Sequence, residues 1–400
     1  MPKKILFVAE AVALAHVARP LVLASGAAEA GHEVVFAVDE RDRWLVRDAP
    51  FAVRPISSIA PERFLAAIAR GAPLFDYATL SRYVDEDLRL IADVRPDVVV
   101  GDLRFSLSAS ARVARIPYVA IANAYWSPYS RATRYVLPPL RAARALPLPI
   151  ANAAFRLIRP AAFAWHALPL NRVRRRFGLQ ALPFDVRHVY TDGDYVLYAD
   201  APELYPLTGA PPTHRFLGPI LWSPPAPLPP WWETAPRDRP IVYLTLGSSG
   251  DPRQLPAIVE ALAALPVSIF VATAGKPAPG AWPANVFTAD YLPGDAAARR
   301  AALVVCNGGA PTTQQALAAG VPVLGIATNM DQVLNMQAIS RIGAGIALRG
   351  ERSGARAVAE AAQRLLADRA FAAAAREAAT AFARHRPAER FRELLAELPG

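Results

Sequence analysis

Residues 304–336 read VVCNGGAPTTQQALAAGVPVLGIATNMDQVLNM. A buried-looking run closes at Cys306, Asn307-Gly308-Gly309 follows, and Pro311 then opens a helical stretch. Proline suits the first turn of a helix, where a missing N–H leaves no intrahelical bond unmade. Gly320 stands where a helix ends on a left-handed residue. The glycine pair lets backbone come close to a ligand. The free N–H groups of the first turn and the helix dipole then suit an anion. Strand, Gly-Gly turn and helix start make a coherent phosphate site, although many α/β folds use such turns for packing alone. Beyond the next apolar run come Asn329-Met330-Asp331-Gln332-Val333-Leu334-Asn335. An acid and an amide at the C-terminal end of a parallel strand sit where open α/β sheets bind ligands. Asp331 and Gln332 suit paired hydrogen bonds to vicinal hydroxyls, so the stretch reads as sugar recognition beside a diphosphate.

The rest of the chain supplies the frame. Ile5–Ala9, Glu33–Val38, Val98–Val100, Tyr118–Ala122, Tyr195–Tyr198, Ile241–Leu246, Ser268–Ala272, Leu303–Cys306 and Pro322–Ile326 are short continuous apolar runs. Runs without alternation belong to strands covered on both faces, as in parallel sheets. Helical composition between them, as in Pro256–Leu265, Asp295–Ala302 and Thr312–Ala319, predicts doubly wound α/β domains. A length of 400 residues suggests two domains. Phe216–Pro240 carries eight prolines, which forbid helix interiors and favour an extended path. It divides an N-terminal domain (1–215) from a C-terminal one (240–400), with residues 216–239 as the linker. Pro128–Pro160 reads as loops and short helices inside the first domain. Ala355–Leu398 reads as two or three helices, the last free to pack back on the first domain.

Composition excludes several classes. Apolar residues make up 53% and charged residues 20%, which rules out intrinsic disorder. A single cysteine, Cys306, rules out a disulfide framework and a cysteine-rich zinc site, and a reducing, cytoplasmic setting follows. Glu10, His16 and Arg19 interrupt the N-terminal apolar stretch, which reads as a first strand rather than a signal peptide. No apolar run reaches the ~18 residues of a membrane span. The formal charge is +10, spread along the chain, with its densest cluster at Arg172, Arg174, Arg175 and Arg176. That cluster reads as a solvated helix face, and neither nucleic acid nor stable membrane insertion is expected. Asp192-Gly193-Asp194 imitates a metal-binding Asp-x-Asp but reads as a turn. Asp85-Glu86-Asp87 reads as a solvated helix face.

Taken in order, Tyr291-Leu292-Pro293, Asn307-Gly308-Gly309, Gly320-Val321-Pro322 and Asp331-Gln332-Val333-Leu334-Asn335 resemble the UDP-glycosyltransferase superfamily. Within it they are similar to the bacterial natural-product glycosyltransferases of the macrolide and flavonoid type. The resemblance implies the GT-B fold: two doubly wound Rossmann-like domains facing across a cleft, the C-terminal one holding a UDP- or dTDP-sugar. It implies that Tyr291 stacks on the nucleobase and that Leu292 meets the base through its backbone. Gly247, Ser248, Asn307, Gly308, Gly309 and Thr312 would meet the diphosphate, Gln315 the nucleotide, and Asp331 and Gln332 the sugar hydroxyls. Two positions depart from the family pattern. Asn307 replaces a histidine, and its amide can donate but carries no charge. Gln315 replaces a glutamate that contacts the ribose.

The family's Gly-His-x-x-Pro loop becomes Ala15-His16-Val17-Ala18-Arg19-Pro20, with the proline one position late. The resemblance makes His16 the general base and Asp102, after Val98–Gly101, its partner. Neutral imidazole, with an ordinary pKa near ~6.5, can take the proton of an attacking hydroxyl. A carboxylate on the other ring nitrogen would fix the tautomer. Phe75, Tyr83, Phe105, Tyr125 and Trp126 are candidates for an apolar acceptor pocket, joined by Tyr77 and Tyr129. The expected reaction is inverting transfer of a hexose to a hydroxyl of a small, hydrophobic or aromatic acceptor, with no metal and no cofactor. Two other readings fit the same motifs: a sugar-nucleotide-binding protein without transferase activity, and a GT-B-type nucleotide-sugar epimerase.

Overall fold

The computed structural model describes residues 1–140, 146–236, 238–276 and 282–398. Residue contacts divide the chain into two compact units. One holds residues 1–131, 153–220 and 385–400, the other residues 132–152 and 221–384.

The first unit is built on seven strands: β1 (Lys4–Ala9), β2 (Glu33–Val38), β3 (Ala52–Pro55), β4 (Val98–Asp102), β5 (Tyr118–Ala122), β6 (Tyr195–Tyr198) and β7 (His214–Phe216). They pair in parallel in the order β3-β2-β1-β4-β5-β6-β7. Helices cover both faces, which is why β1, β4 and β5 are almost wholly apolar and buried. Leu6, Val8, Val35, Val99, Leu107 and Ala120 form the core on one side. On the other, the C-terminal helix Pro387–Glu397 packs against the helix Ala15–Glu29. There Gly26 leaves a Cβ-sized gap filled by Ala388, and Phe391 meets Phe7 with ring centroids 5.8 Å apart.

The second unit has six parallel strands: β8 (Ile241–Thr245), β9 (Ser268–Ala272), β10 (Val286–Ala289), β11 (Leu303–Cys306), β12 (Val323–Ala327) and β13 (Gly345–Arg349), ordered β10-β9-β8-β11-β12-β13. Its core runs through Val242, Leu244, Ile258, Leu262, Val271, Val305 and Leu324. Each sheet reverses its winding direction once, between β1 and β4 and between β8 and β11. At such switch points the loops beyond the strand ends diverge and leave a crevice for ligands.

Two segments differ from the sequence reading. Residues 148–176 form one 29-residue helix that contains Pro160 and Pro169, not loops and short helices. Each proline removes a single bond four residues back, and the buried side chains of the helix, such as Phe155, Phe163, Ala167, Leu170 and Val173, outweigh that loss. The proline-rich linker is also less free than its composition suggests. From Leu221 onward it belongs to the second unit. Trp231 donates to the Thr288 carbonyl (2.9 Å) and packs on Phe270, while Arg300 lies over the Trp232 ring.

Candidate functional site

His16 is the second residue of the helix that follows β1, and Asp102 is the last residue of β4. Ala9, at the end of β1, is in register with Asp102, so the two side chains rise beside the switch point. His16 Nδ1 lies 2.7 Å from Asp102 Oδ1. The imidazole is 19% exposed and the carboxylate 1%. Sequence reasoning missed a third member, Arg19. Its Nε donates to Asp102 Oδ2 at 2.8 Å and its Nη2 to Oδ1 at 2.7 Å. Burial opposes the Arg19 charge, but Asp102 outweighs burial and raises the guanidinium's pKa further. The signal was present: Arg19 follows His16 by three residues, which places both on one helix face.

The Asp102 carboxylate decides which imidazole nitrogen carries the proton. Arg19 Nη2 also lies 3.1 Å from His16 Nδ1. If Nδ1 accepted from Arg19, its lone pair would face the carboxylate at 2.7 Å. The favourable arrangement has Nδ1–H donating to Asp102 and leaves Nε2 as a free base. Arg19 Nη1 further donates to Asn123 Oδ1 (2.8 Å), and Asn123 Nδ2 donates to the buried Asp200, which also accepts from the Ala124 amide. Two buried carboxylates thus flank one guanidinium. An imidazolium formed on His16 would bring that group of charges to neutrality.

Directly beside this set lies a second buried cluster. Glu10 follows β1 and accepts from Tyr83 Oη (3.0 Å) and Arg104 Nη1 (3.1 Å). Arg104 also pairs with Asp87 and Glu86 and lies 3.7 Å from the Tyr83 ring centre. Burial pushes the Glu10 carboxyl up to about 7, against the opposing pull of Arg104. The folded chain therefore holds a proton that the unfolded chain, at about 4.5, releases. The stability this gives is full below about pH 4.5 and fades as pH rises through about 7. Glu10→Gln imitates the protonated acid. It should melt close to wild type near pH 5 and a few degrees above it near pH 8, read by thermal unfolding at each pH. A constant difference across that range would contradict the assignment. The expected solvated face of Asp85-Glu86-Asp87 is thereby corrected for Asp87, which is buried in this cluster.

The aromatic residues divide. Phe75, Phe105 and Trp126 converge on Tyr190. Phe105 meets it edge-on at 5.0 Å, Trp126 stacks on it at 4.4 Å, and Phe75 meets Phe105 at 5.6 Å. Phe75, Phe105 and Tyr190 line a pocket with Leu80, Leu170 and Val186. Tyr83 and Tyr125 do not belong to it. Tyr83 is 3% exposed and sits under Arg104, and Tyr125 is 0% exposed and packs on Tyr205. Tyr77 is exposed, and Tyr129 meets the edge of His214. Asp192 accepts from Arg112 and Arg174, and Asp194 accepts from the Tyr118 amide, so both side chains brace the chain around that turn.

In the second unit, Asn307-Gly308-Gly309 follows β11 and the loop 246–250 follows β8, side by side at the switch point. Asn307 ties them together. Its Oδ1 accepts from the Gly309 amide (3.0 Å) and its Nδ2 donates to Ser249 Oγ (3.2 Å). Gly308 has φ +82°, and a Cβ there would lie 2.7 Å from Met336 Cγ. Asn335, the last residue of the second motif, donates to the Gly308 carbonyl (2.8 Å) and to Thr313 Oγ1 (2.9 Å). The two motifs thus lock one turn in place. The helix runs Ala310–Ala318 with Gly309 as its cap, and Thr312 is half-buried in its first turn. The N–H groups of the first helical turn have no partner within the helix and can serve an anion.

Sequence reasoning also missed Lys276. Its ammonium donates to the carbonyls of Gly250 (2.8 Å), Ser248 (3.1 Å) and Gly247 (3.4 Å). Burial lowers its pKa, and Asp251 partly offsets that. It gathers the Gly247–Gly250 loop and brings to this turn the positive charge that Asn307 lacks. Gly247 adopts φ +62°, and a Cβ there would sit 3.7 Å from Asn307 Nδ2. Tyr291 is half-buried, its hydroxyl donating to the Ala274 carbonyl (3.3 Å), and Leu292 is buried. Asp331 lies in the first turn of the helix Met330–Arg341, which Asn329 caps. Gln332 has its Oε1 fixed by Thr328 (2.7 and 3.0 Å), which turns its Nε2 into the atom available to a ligand.

Gln315, expected at the nucleotide, is held on its amide side by the protein. Its Nε2 donates to the Trp222 carbonyl (2.5 Å) and to Ser223 Oγ (3.2 Å), so it fastens the linker to the helix. A glutamate could not donate to a carbonyl. Gln315→Glu should therefore destabilise the protein by about 1–3 kcal/mol in urea unfolding. An unchanged midpoint would mean that the bond contributes nothing.

Comparison with known proteins places this arrangement. Residues 250–397 match the model of the erythromycin biosynthesis protein CIII-like C-terminal domain. The chain is 51% identical over 380 residues to a PGL/p-HBAD biosynthesis glycosyltransferase of Mycobacterium tuberculosis (strain ATCC 25177 / H37Ra), covering 95% of this chain and 89% of the relative. It is 50% identical over 384 residues to a PGL/p-HBAD biosynthesis rhamnosyltransferase of Mycobacterium bovis (strain BCG / Pasteur 1173P2), covering 96% and 85%. Among solved structures it resembles spinosyn rhamnosyltransferase SpnG complexed with thymidine diphosphate, with a TM-score of 0.71, 20% identity and coverage of 98% and 100%. The protein is a glycosyltransferase of GT-B fold. Within that class, the chain belongs to the family of the PGL/p-HBAD biosynthesis glycosyltransferases. The resemblance drawn from its motifs to bacterial natural-product glycosyltransferases holds.

Proposed function

We propose that the protein transfers a hexose, with inversion, from a nucleoside diphosphate sugar to a hydroxyl of a small apolar or aromatic acceptor. The observation that carries this reading is the 2.7 Å contact of His16 Nδ1 with an Asp102 carboxylate that Arg19 grips on both oxygens. His16 Nε2 takes the acceptor proton as the oxygen attacks the anomeric carbon. The bond from that carbon to the diphosphate breaks, and its electron pair leaves with the diphosphate. The start of the helix Ala310–Ala318 and the loop held by Lys276 would stabilise that charge without reorganising. Asp331 and Gln332 Nε2 would hold the sugar hydroxyls, and Tyr291 would stack on the base. Phe75, Phe105 and Trp126, grouped about Tyr190, would offer an acceptor its apolar surface.

A relative named for rhamnose transfer and a fold neighbour solved with thymidine diphosphate favour a dTDP-sugar. A thermal-shift series across dTDP, UDP and GDP tests this. A ligand that binds only the folded state raises the midpoint by mass action, by roughly 2.7 kcal/mol of added stability at one hundred times Kd. dTDP should give the largest rise. No rise with any of the three would remove the donor assignment.

A further inference from the structure

The helix Leu148–Arg176 carries an apolar face that no described residue covers. Ala154, Leu157, Ile158, Ala161 and Trp165 are all exposed, Leu157 at 83%, Ile158 at 57% and Trp165 at 48%. Their spacing of three and four residues puts them on one stripe of the helix. Phe155, Phe163 and Ala167 are buried on the opposite side. Isolated apolar residues are common on protein surfaces, but a contiguous stripe marks an interaction site. The same spacing carried onward reaches Arg172, Arg175 and Arg176, all exposed. Arg176 lies 3.6 Å from Asp85, while Arg172 and Arg175 have no acidic partner among the described residues. The surrounding sequence is one-sided: from residue 103 to residue 184 there are thirteen arginines and no aspartate or glutamate.

We propose that this helix face docks on an anionic lipid surface, with the apolar stripe in the headgroup boundary and the arginines on the lipid phosphates. A helix that lies on a membrane needs an apolar face, a cationic flank and an aromatic residue at the boundary, and this one has all three. Charge complementarity decides between occupants. A second copy of this face would offer the arginines no acidic partner in either orientation, because residues 103–184 hold no aspartate or glutamate. A nucleic acid would satisfy the arginines and leave Leu157, Ile158 and Trp165 in water. No helix among the described residues is long and apolar enough to cross a membrane, so the contact is peripheral and salt-sensitive.

Co-sedimentation with vesicles tests this on the full chain. The wild-type protein should pellet with phosphatidylcholine vesicles containing a quarter phosphatidylglycerol at low salt. It should be released at high salt and stay in solution with pure phosphatidylcholine. Arg172→Gln with Arg175→Gln should lower the partition coefficient about twenty- to thirtyfold, at about fivefold per arginine. Leu157→Gln with Ile158→Gln should lower it at least about tenfold. Both pairs lie on the surface, so thermal midpoints should not move. Brominated lipid should quench tryptophan emission in the wild type and less in Trp165→Phe. The proposal is overturned by wild-type protein that ignores anionic vesicles, or by binding that survives both double substitutions. It is equally overturned by tight single-stranded DNA binding that vesicles do not displace, or by a lipid-free dimer that Leu157→Gln with Ile158→Gln abolishes.

Discussion

Changing His16 to alanine should lower kcat by about 10²–10⁴-fold while the affinity for the nucleoside diphosphate stays within a factor of two. The size follows from what a positioned base contributes to proton transfer. The selectivity follows from where the residues sit. His16 belongs to the first unit, whereas Asn307, Gly309, Thr312, Asp331 and Lys276 belong to the second. The imidazole also carries little of the fold, because it remains 19% exposed and its shortest contact is with Asp102. Calorimetric titration with dTDP and UDP beside a turnover assay separates the two effects. Full turnover in this variant would leave the base unassigned. Loss of nucleotide affinity together with turnover would mean that His16 serves binding or folding instead.

Asp102→Asn should cost more than its single atom suggests, up to roughly 10⁴-fold in kcat, the size of loss seen when a histidine base is left in the wrong tautomer. In the wild type, both oxygens face hydrogen-bond donors: Arg19 Nε at Oδ2, and Arg19 Nη2 with His16 Nδ1 at Oδ1. An asparagine must place its NH₂ at one of those positions. At the first it opposes the Arg19 donor with another donor. At the second it donates to His16 Nδ1, drives the ring proton to Nε2 and removes the base. The variant should also be less stable by about 1–3 kcal/mol, since a buried guanidinium loses half its pairing. Partial activity with unchanged stability would show that Asp102 does not set the tautomer. Asp102→Glu, which keeps the charge, should recover more activity than the asparagine if charge rather than shape matters.

Nine apolar runs in the sequence became strands, and the four strands absent from that reading are β3, β7, β10 and β13. All four are sheet edges. An edge strand pairs on one side only and shows much of its surface, so Ala52–Pro55 and Val286–Ala289 carry no continuous apolar run. The site divides in a similar way. Residues whose spacing lies within one local motif, such as Asn307-Gly308-Gly309 and Asp331-Gln332, could be found from their order. Asn123, Asp200 and Lys276 act through partners far along the chain, as with Asn123 and Asp200, and no local pattern marks such pairs, whereas Arg19 was legible only as a neighbour of His16 on one helix face. The anchoring of Gln315 was illegible for a related reason. Its partner is the Trp222 backbone, and backbone acceptors leave no trace in residue identity. Tyr83 and Tyr125 lie away from the pocket that Phe75 and Phe105 line, because an aromatic residue near a strand end serves core and pocket alike, and only its neighbours in the fold tell the two apart.

The central claim is that His16 rests with its proton on Nδ1 and a free lone pair on Nε2, held so by Asp102 and Arg19. Nitrogen-15 NMR of the imidazole rings, assigned by comparison with His16→Ala, measures this directly. In the neutral ring, the His16 Nδ1 signal should be of the protonated type and the Nε2 signal of the bare type. A spectrum with the proton on Nε2 would contradict the claim, because no base would then face an acceptor hydroxyl.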